Sequence, residues 1–222
     1  MTSSRSQSPT PAAGDLDAVR ESFDAMAEAY ADAFADELTR KPFDRDRLDE
    51  LAAGTRPNGR ILDLGTGAGG QIGRYLADRG CTVTGVDFSD RSIEIARRLN
   101  PGMTFQVADI RSLPFPDDSI AAIAAFYCLI YGTDDDVLAA LRECRRVLEP
   151  GGRLLASVHG GEGVEHFDEF RGAPVDITIR HTSPDAFRAL AERAGMAVDD
   201  VVAREPYPEE HPTKRIYLRA HA

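Results

Sequence analysis

Cysteine is scarce in this chain, with only Cys81, Cys128 and Cys144 among 222 residues. The three are widely spaced, fit no metal-ligand pattern and sit in apolar or helical surroundings. They read as buried free thiols, which excludes a disulfide framework and suits a reducing, cytoplasmic setting. Long apolar runs are missing too: nothing approaches the roughly 20 residues that a membrane span requires, so no membrane partner is expected. Positive charge is in short supply, with 26 Lys and Arg against 37 Asp and Glu, a net charge of −11 and no basic run. Such a surface repels phosphate backbones, so nucleic acid is not the expected partner. Met1 to Gly14 is polar, rich in Ser, Thr and Pro, and lacks the apolar stretch of a signal peptide. Residues 1–14 read as a disordered tail, and residues 15–222 as one globular domain. With 42% hydrophobic and 28% charged residues, that domain can bury a sizeable core.

What is present is a helix-strand alternation. Leu16, Val19, Phe23, Met26, Tyr30, Phe34 and Leu38 recur at spacings of three and four, one helical face, with Asp15 as N-cap and Lys41-Pro42 as the stop. A second helix, capped by Asp44 and carrying Leu48 and Leu51, ends at Gly54, so residues 15–54 form an N-terminal helical cap. Strands are expected at Arg60 to Leu64, Cys81 to Val86, Met103 to Val107, Ile120 to Phe126 and Arg153 to Val158. Helices separate most of them: Gly69 to Asp78, one capped by Asp90, and Asp134 to Leu148. This rhythm implies parallel strands joined by right-handed crossovers and a doubly wound α/β sheet with helices on both faces. Val175 to Arg180 reads as a short edge strand and Pro184 to Ala194 as a helix. Val198 to Arg204 and Arg215 to Ala220 are joined by too few residues for a crossover helix, so the chain ends in an antiparallel hairpin.

The first strand runs into Asp63-Leu64-Gly65-Thr66-Gly67-Ala68-Gly69-Gly70 and a helix. Glycines there let the backbone turn tightly and approach a ligand closely. The spacing of Gly65, Gly67 and Gly70 also satisfies a dinucleotide loop, so by itself it leaves a nicotinamide cofactor open. Asp87, ending the second strand, is placed to accept bonds from both ribose hydroxyls of an adenosine-containing cofactor. Asp109, ending the third, could meet an adenine amino group.

Four segments, ILDLGTGAGG, VTGVDFS, VADIRSLPFPDDSIAAI and RRVLEPGGRLLAS, occur in the order and spacing of one family. The chain resembles the class I S-adenosylmethionine-dependent methyltransferases of the small-molecule type. That resemblance implies a mostly parallel seven-stranded sheet whose final hairpin is antiparallel, and S-adenosylmethionine as cofactor. It implies that Gly65, Thr66 and Gly67 face the methionyl part, with Asp63 orienting the loop. Asp87 would bind the ribose, Phe88 would pack on the adenine, and Asp109 with Ile110 would hold its edge. Phe126 lies where the family's backbone contacts the amino-acid end. Tyr131 stands where many relatives carry histidine, which leaves any role carried over to it open. Tyr30 either covers the cofactor from the cap or is a packing aromatic.

The expected reaction moves a methyl group to an O, N or C atom of a small molecule, mainly by proximity and alignment. A cofactor-binding protein without methylation and a nicotinamide oxidoreductase are the alternatives. His159, ending the fifth strand, and Tyr131 are the candidates for catalysis and are expected to share one cavity. With an ordinary pKa near about 6.5, His159 could serve as a base, or it could merely bond the strand-end backbone. The acidic insert between Gly160 and Pro174 reads as a solvated loop. His211 with Glu209 and Glu210 reads as a solvated turn, so no metal is expected.

Overall fold

The computed structural model describes residues 15–222, and the expected tail lies outside them. Asp15 caps helix α1 (Leu16–Phe34) through its carboxylate on the Asp17 N–H. The helix is shorter than its apolar stripe: Asp36 leaves helical geometry at φ −113°, and Leu38 sits in a separate 3-10 turn, Glu37–Arg40. Lys41 precedes helix α2 (Pro42–Gly54) without a capping side-chain bond, and Pro42 supplies a first residue that needs no N–H partner. Asp44, expected to cap it, is instead buried and accepts a bond from the Tyr217 hydroxyl.

Strands β1 (Arg60–Leu64), β2 (Thr82–Asp87), β3 (Thr104–Val107), β4 (Ile120–Phe126), β5 (Leu148–Gly160), β8 (Ala197–Arg204) and β9 (Lys214–His221) form one sheet. Its order is β3-β2-β1-β4-β5-β9-β8, and β9 alone runs opposite to the rest, pairing antiparallel with β5 and β8. Alternation along the central strands explains the two-sided burial. Leu62, Leu64, Ile123 and Ala125 pack with α1 and with helices α5 (Asp134–Val147) and α6 (Pro184–Arg193). Ile61, Ala122, Ala124 and Phe126 pack on the opposite face with α2 and helix α3 (Gln71–Ala77). Helix α4 (Asp90–Leu99) is capped by Ser89, whose hydroxyl accepts the Ser92 N–H, rather than by Asp90. The order reverses between β1 and β4, so a crevice opens at their carboxyl ends.

The insert is not a loop. β6 (Val164–Phe170) and β7 (Ala173–Arg180) pair antiparallel as a separate two-stranded sheet, and β7 is not an edge of the main sheet. Along β6 exposed Val164, His166 and Asp168 alternate with half-buried Glu165 and Phe167, a period of two that high polarity conceals. Cys144 is buried as expected, whereas Cys81 and Cys128 are half-buried; all three are free. Among the described residues, no helix is long and apolar enough to cross a membrane.

Candidate functional site

The loop after β1 turns through Gly65, Gly67 and Gly70, with φ of +67°, +61° and +59°. At Gly65 a side chain is also barred by space, since a Cβ there would lie 2.3 Å from that of Cys128. Asp63 does not reach the cleft. It is buried behind the loop, where its Oδ2 accepts the Thr66 hydroxyl at 2.5 Å and the Gly73 N–H at 2.9 Å, so it braces the turn from beneath. Burial pushes its pKa up to about 6 against these two donors.

Asp87 ends β2 with its carboxylate wedged against the loop. Oδ2 accepts the Gly67 N–H at 2.9 Å and Oδ1 accepts the Ser89 N–H at 3.0 Å. Desolvation again dominates and raises its pKa to about 6. A carboxylate offers about four lone-pair directions, so two donors leave acceptor capacity toward the cleft it lines.

That cleft, about 110 Å³, is also lined by Tyr30, Gly65, Thr66, Gly67, Phe88, Asp109, Ile110, Phe126 and Tyr131. The expected residues therefore come together, Asp63 excepted. Asp109 stands at the rim, held by the Arg111 guanidinium, which also pairs with Asp136 at 2.6 Å. Cys128, Leu129 and Val137 line the cleft as well and were not singled out from the sequence.

A second cavity, about 580 Å³, lies beyond an aromatic wall. Phe23 on α1 meets Tyr30 and Tyr131 edge-on at 5.6 and 5.7 Å, and Phe88 at 6.1 Å. Tyr30 continues the wall to Phe34 at 4.5 Å and to Phe170 of β6 at 5.8 Å. Phe23, Tyr30, Glu37, Tyr127 and Tyr131 face both chambers. Tyr30 thus both packs against its neighbours and lines the cleft.

His159 and Tyr131 both line the larger cavity. His159 Nδ1 bonds the Thr213 hydroxyl at 2.7 Å. Burial, then Arg215, His211, His181 and Lys41, drive its pKa down to about 3, not the ordinary value expected from sequence. It is neutral at physiological pH and a weak base. Tyr127, which the sequence did not flag, follows β4 with φ +56°, outside the range most side chains adopt. Its ring lies 5.3 Å from His159, with Lys41 and Arg215 near its faces at 5.3 and 5.6 Å. Glu210, which lines the cavity with Lys41 and Arg215, pairs with both and with Arg204.

Comparison with known proteins separates the cofactor alternatives that the glycine spacing leaves open. Residues 61–152 match a family described as a methyltransferase domain. A malonyl-(acyl-carrier protein) O-methyltransferase of Halorhodospira halophila is 34% identical over 172 residues, covering 73% of this chain and 54% of that protein. A demethylmenaquinone methyltransferase of Renibacterium salmoninarum is 34% identical over 152 residues, 66% of this chain and 63% of that one. The chain spans about half the length of the curated relatives it matches. In fold it is similar to a Burkholderia thailandensis 1,6-didemethyltoxoflavin-N1-methyltransferase, with a TM-score of 0.73 and 20% identity over 97% of this chain and 92% of the other.

Proposed function

We propose that this chain, whose residues 61–152 form a class I S-adenosylmethionine-dependent methyltransferase domain, transfers the cofactor's methyl group to an O, N or C atom of a small molecule. The observation that carries this reading is the pairing of two chambers across one wall. A narrow cleft holds the glycine loop and Asp87, and a larger cavity adjoins it through Tyr30, Tyr127 and Tyr131.

The residues present fit the cofactor. The loop between Gly65 and Gly67 brings bare backbone to the cleft, and the hypothetical Cβ at Gly67 meets only Tyr30, at 3.6 Å. Asp87 keeps acceptor capacity for ribose hydroxyls, and Phe88 and Ile110 supply apolar surface for a purine. When bound, S-adenosylmethionine supplies an electrophilic methyl group for in-line displacement. The protein's part is alignment, and proximity alone contributes up to about 7–11 kcal/mol to such a step. The aromatic wall excludes water and limits the directions from which an acceptor approaches. His159, neutral and tied to Thr213, presents a hydrogen-bonding ring to the acceptor chamber and is not required to remove a proton. Tyr131, in the shared wall, orients the acceptor.

Calorimetry with S-adenosylmethionine, S-adenosylhomocysteine and NADH tests the first half, with binding expected for the two sulfur compounds alone. Incubation with a panel of small hydroxylated, amino and enolic acceptors tests the second, by mass-spectrometric detection of the product gaining one methyl group. A clear NADH isotherm would sink the cofactor assignment. Tight cofactor binding with no methylated product across all three acceptor classes would leave the second half without support.

A further inference from the structure

Glu165 of β6, His181 just past β7 and His211 in the loop between β8 and β9 converge although they are far apart in sequence. One ligand atom from each lies within 4.8 Å of the other two. His211 Nε2 stands 2.9 Å from Glu165 Oε2, and His181 Nε2 stands 3.5 Å from the same oxygen. His181 Nε2 is buried and makes no hydrogen bond. A buried ring nitrogen left without a partner beside a carboxylate calls for something between them.

We propose that these three side chains bind a divalent d-block metal ion, with zinc as the representative ligand. Two imidazoles and one carboxylate form a donor set suited to zinc and its neighbours in the series, not to the oxygen-seeking magnesium or calcium. Arms of about 2.0–2.2 Å in tetrahedral array hold ligand atoms about 3.4 Å apart. The two spacings to the Glu165 oxygen bracket that value and the imidazole pair lies within 4.8 Å, so side-chain adjustment alone can bring the three atoms into one coordination shell. All three residues are partly exposed, which gives the ion a path in.

The position of the site gives it a consequence. The β6–β7 hairpin shares no ladder with the main sheet; β7 packs on α1 and puts Val175, Ile177 and Ile179 into the core, whereas no residue of β6 is fully buried. The hairpin supplies Phe167, Phe170, Ile177 and Ile179 to the larger cavity. A metal held by Glu165 and His181 on one side and His211 on the other pins this wall to the main sheet. Three protein ligands leave a position for water or for an oxygen of a molecule in the cavity, which His211 also lines. The site stands whether or not the protein methylates anything.

The test uses the tag-free full chain, stripped with a chelator and titrated with Co²⁺ as a coloured probe, then with Zn²⁺ in competition. One equivalent of Co²⁺ is expected to produce visible bands that Zn²⁺ abolishes, and Zn²⁺ is expected to raise the melting temperature. His181→Ala, His211→Ala and Glu165→Gln are each expected to weaken binding at least about 100-fold, more than loss of an outer partner does. His166→Ala, at the other hairpin histidine, keeps full binding. Circular dichroism and S-adenosylmethionine binding on the same samples report whether each variant is folded. Co²⁺ bands that persist in the folded triple variant, or no bands from the parent at saturating Co²⁺, overturn the proposal. Unchanged cofactor binding alongside such a result leaves the methyltransferase reading intact.

Discussion

Asp87→Asn separates what a residue does for the fold from what it does for a ligand. The parent carboxyl is only 5% exposed, and its pKa moves from 3.8 to about 6 on folding. At about 1.36 kcal/mol per pH interval, the ionised form therefore carries about 3 kcal/mol against the fold. Below 3.8 both folded and unfolded chains are protonated and this penalty is absent. Between 3.8 and 6 the folded chain holds its proton more tightly, so stability falls as pH rises, and above 6 the penalty is complete. Asparagine removes it but turns an amide N–H₂ toward one of the two backbone donors, from Gly67 or Ser89, at a cost of about 1–3 kcal/mol.

The two effects nearly cancel, so at about pH 7 the variant is expected to unfold within about 2 kcal/mol of the parent in a urea titration. Cofactor affinity has no such offset. Loss of a charged acceptor for ribose hydroxyls weakens binding by about 1.5–3 kcal/mol, about 10- to 150-fold, read by calorimetry with S-adenosylhomocysteine. The pH profile runs opposite to stability. Ligand hydroxyls favour the ionised carboxylate, so parent affinity is full above about 6 and drops as the group protonates below it, while the variant stays flat. A folded variant with unchanged affinity, or a parent profile that is flat through this window, refutes the reasoning.

Gly65→Ala is expected to cost about 2–5 kcal/mol, combining a left-handed backbone with a 2.3 Å overlap onto Cys128 Cβ. Adding Cys128→Ala should not restore stability, because it removes the sulfur and leaves the clashing Cβ; recovery in urea melts would contradict this. His159→Gln should leave the shape of the rate–pH profile between about pH 5 and 8 unchanged, since the parent imidazole titrates near about 3. A limb near neutrality that vanishes in the variant would show that His159 acts as a base. Deletion of residues 1–14 should preserve turnover, whereas deletion through Arg40 removes Phe23, Tyr30 and Phe34 from the wall and should abolish it. Full turnover by the longer deletion would exclude a role for the cap.

Legibility in the sequence followed the range of the interactions. Gly65, Gly67 and Asp87 could be read because a strand, a tight turn and a second strand end are local or governed by sheet topology. Their association in one cleft needed no side-chain detail. Asp44 was misread because an acidic residue near a helix start has a ready local use, while its partners Arg204 and Tyr217 lie 160 and 173 residues away. Strand β7 was legible from Val175 to Arg180, but its partner β6 was hidden because charge outweighs alternation in so short a segment. Glu165 and His211 are separated by 46 residues, and no spacing rule connects them. Tyr127 carries no local signal at all: it takes its positive φ where β4 ends, with its ring among Lys41, His159 and Arg215 from three distant segments.

The family match ends at residue 152, and this boundary has a functional counterpart. Every residue lining the larger cavity except Tyr127, Ile130 and Tyr131 lies outside residues 61–152, in the cap, at the end of β5, in the hairpin or in the β8–β9 region. On the proposed function, cofactor binding and acceptor choice fall largely in different stretches of chain, joined at the shared wall, and should be separable by mutation. Phe170 is the sharpest probe, because its ring lines only the larger cavity yet touches the shared wall at Tyr30. Phe170→Ala removes apolar surface worth about 1.5–3 kcal/mol when fully covered, so kcat/KM for an acceptor that fills the cavity should fall by about 10- to 150-fold. Affinity for S-adenosylhomocysteine should stay within about twofold, since Tyr30 keeps its contacts with Phe23 and Phe34. Equal losses in acceptor efficiency and cofactor affinity would mean that the wall moves as one body, and the division into two chambers would then fail.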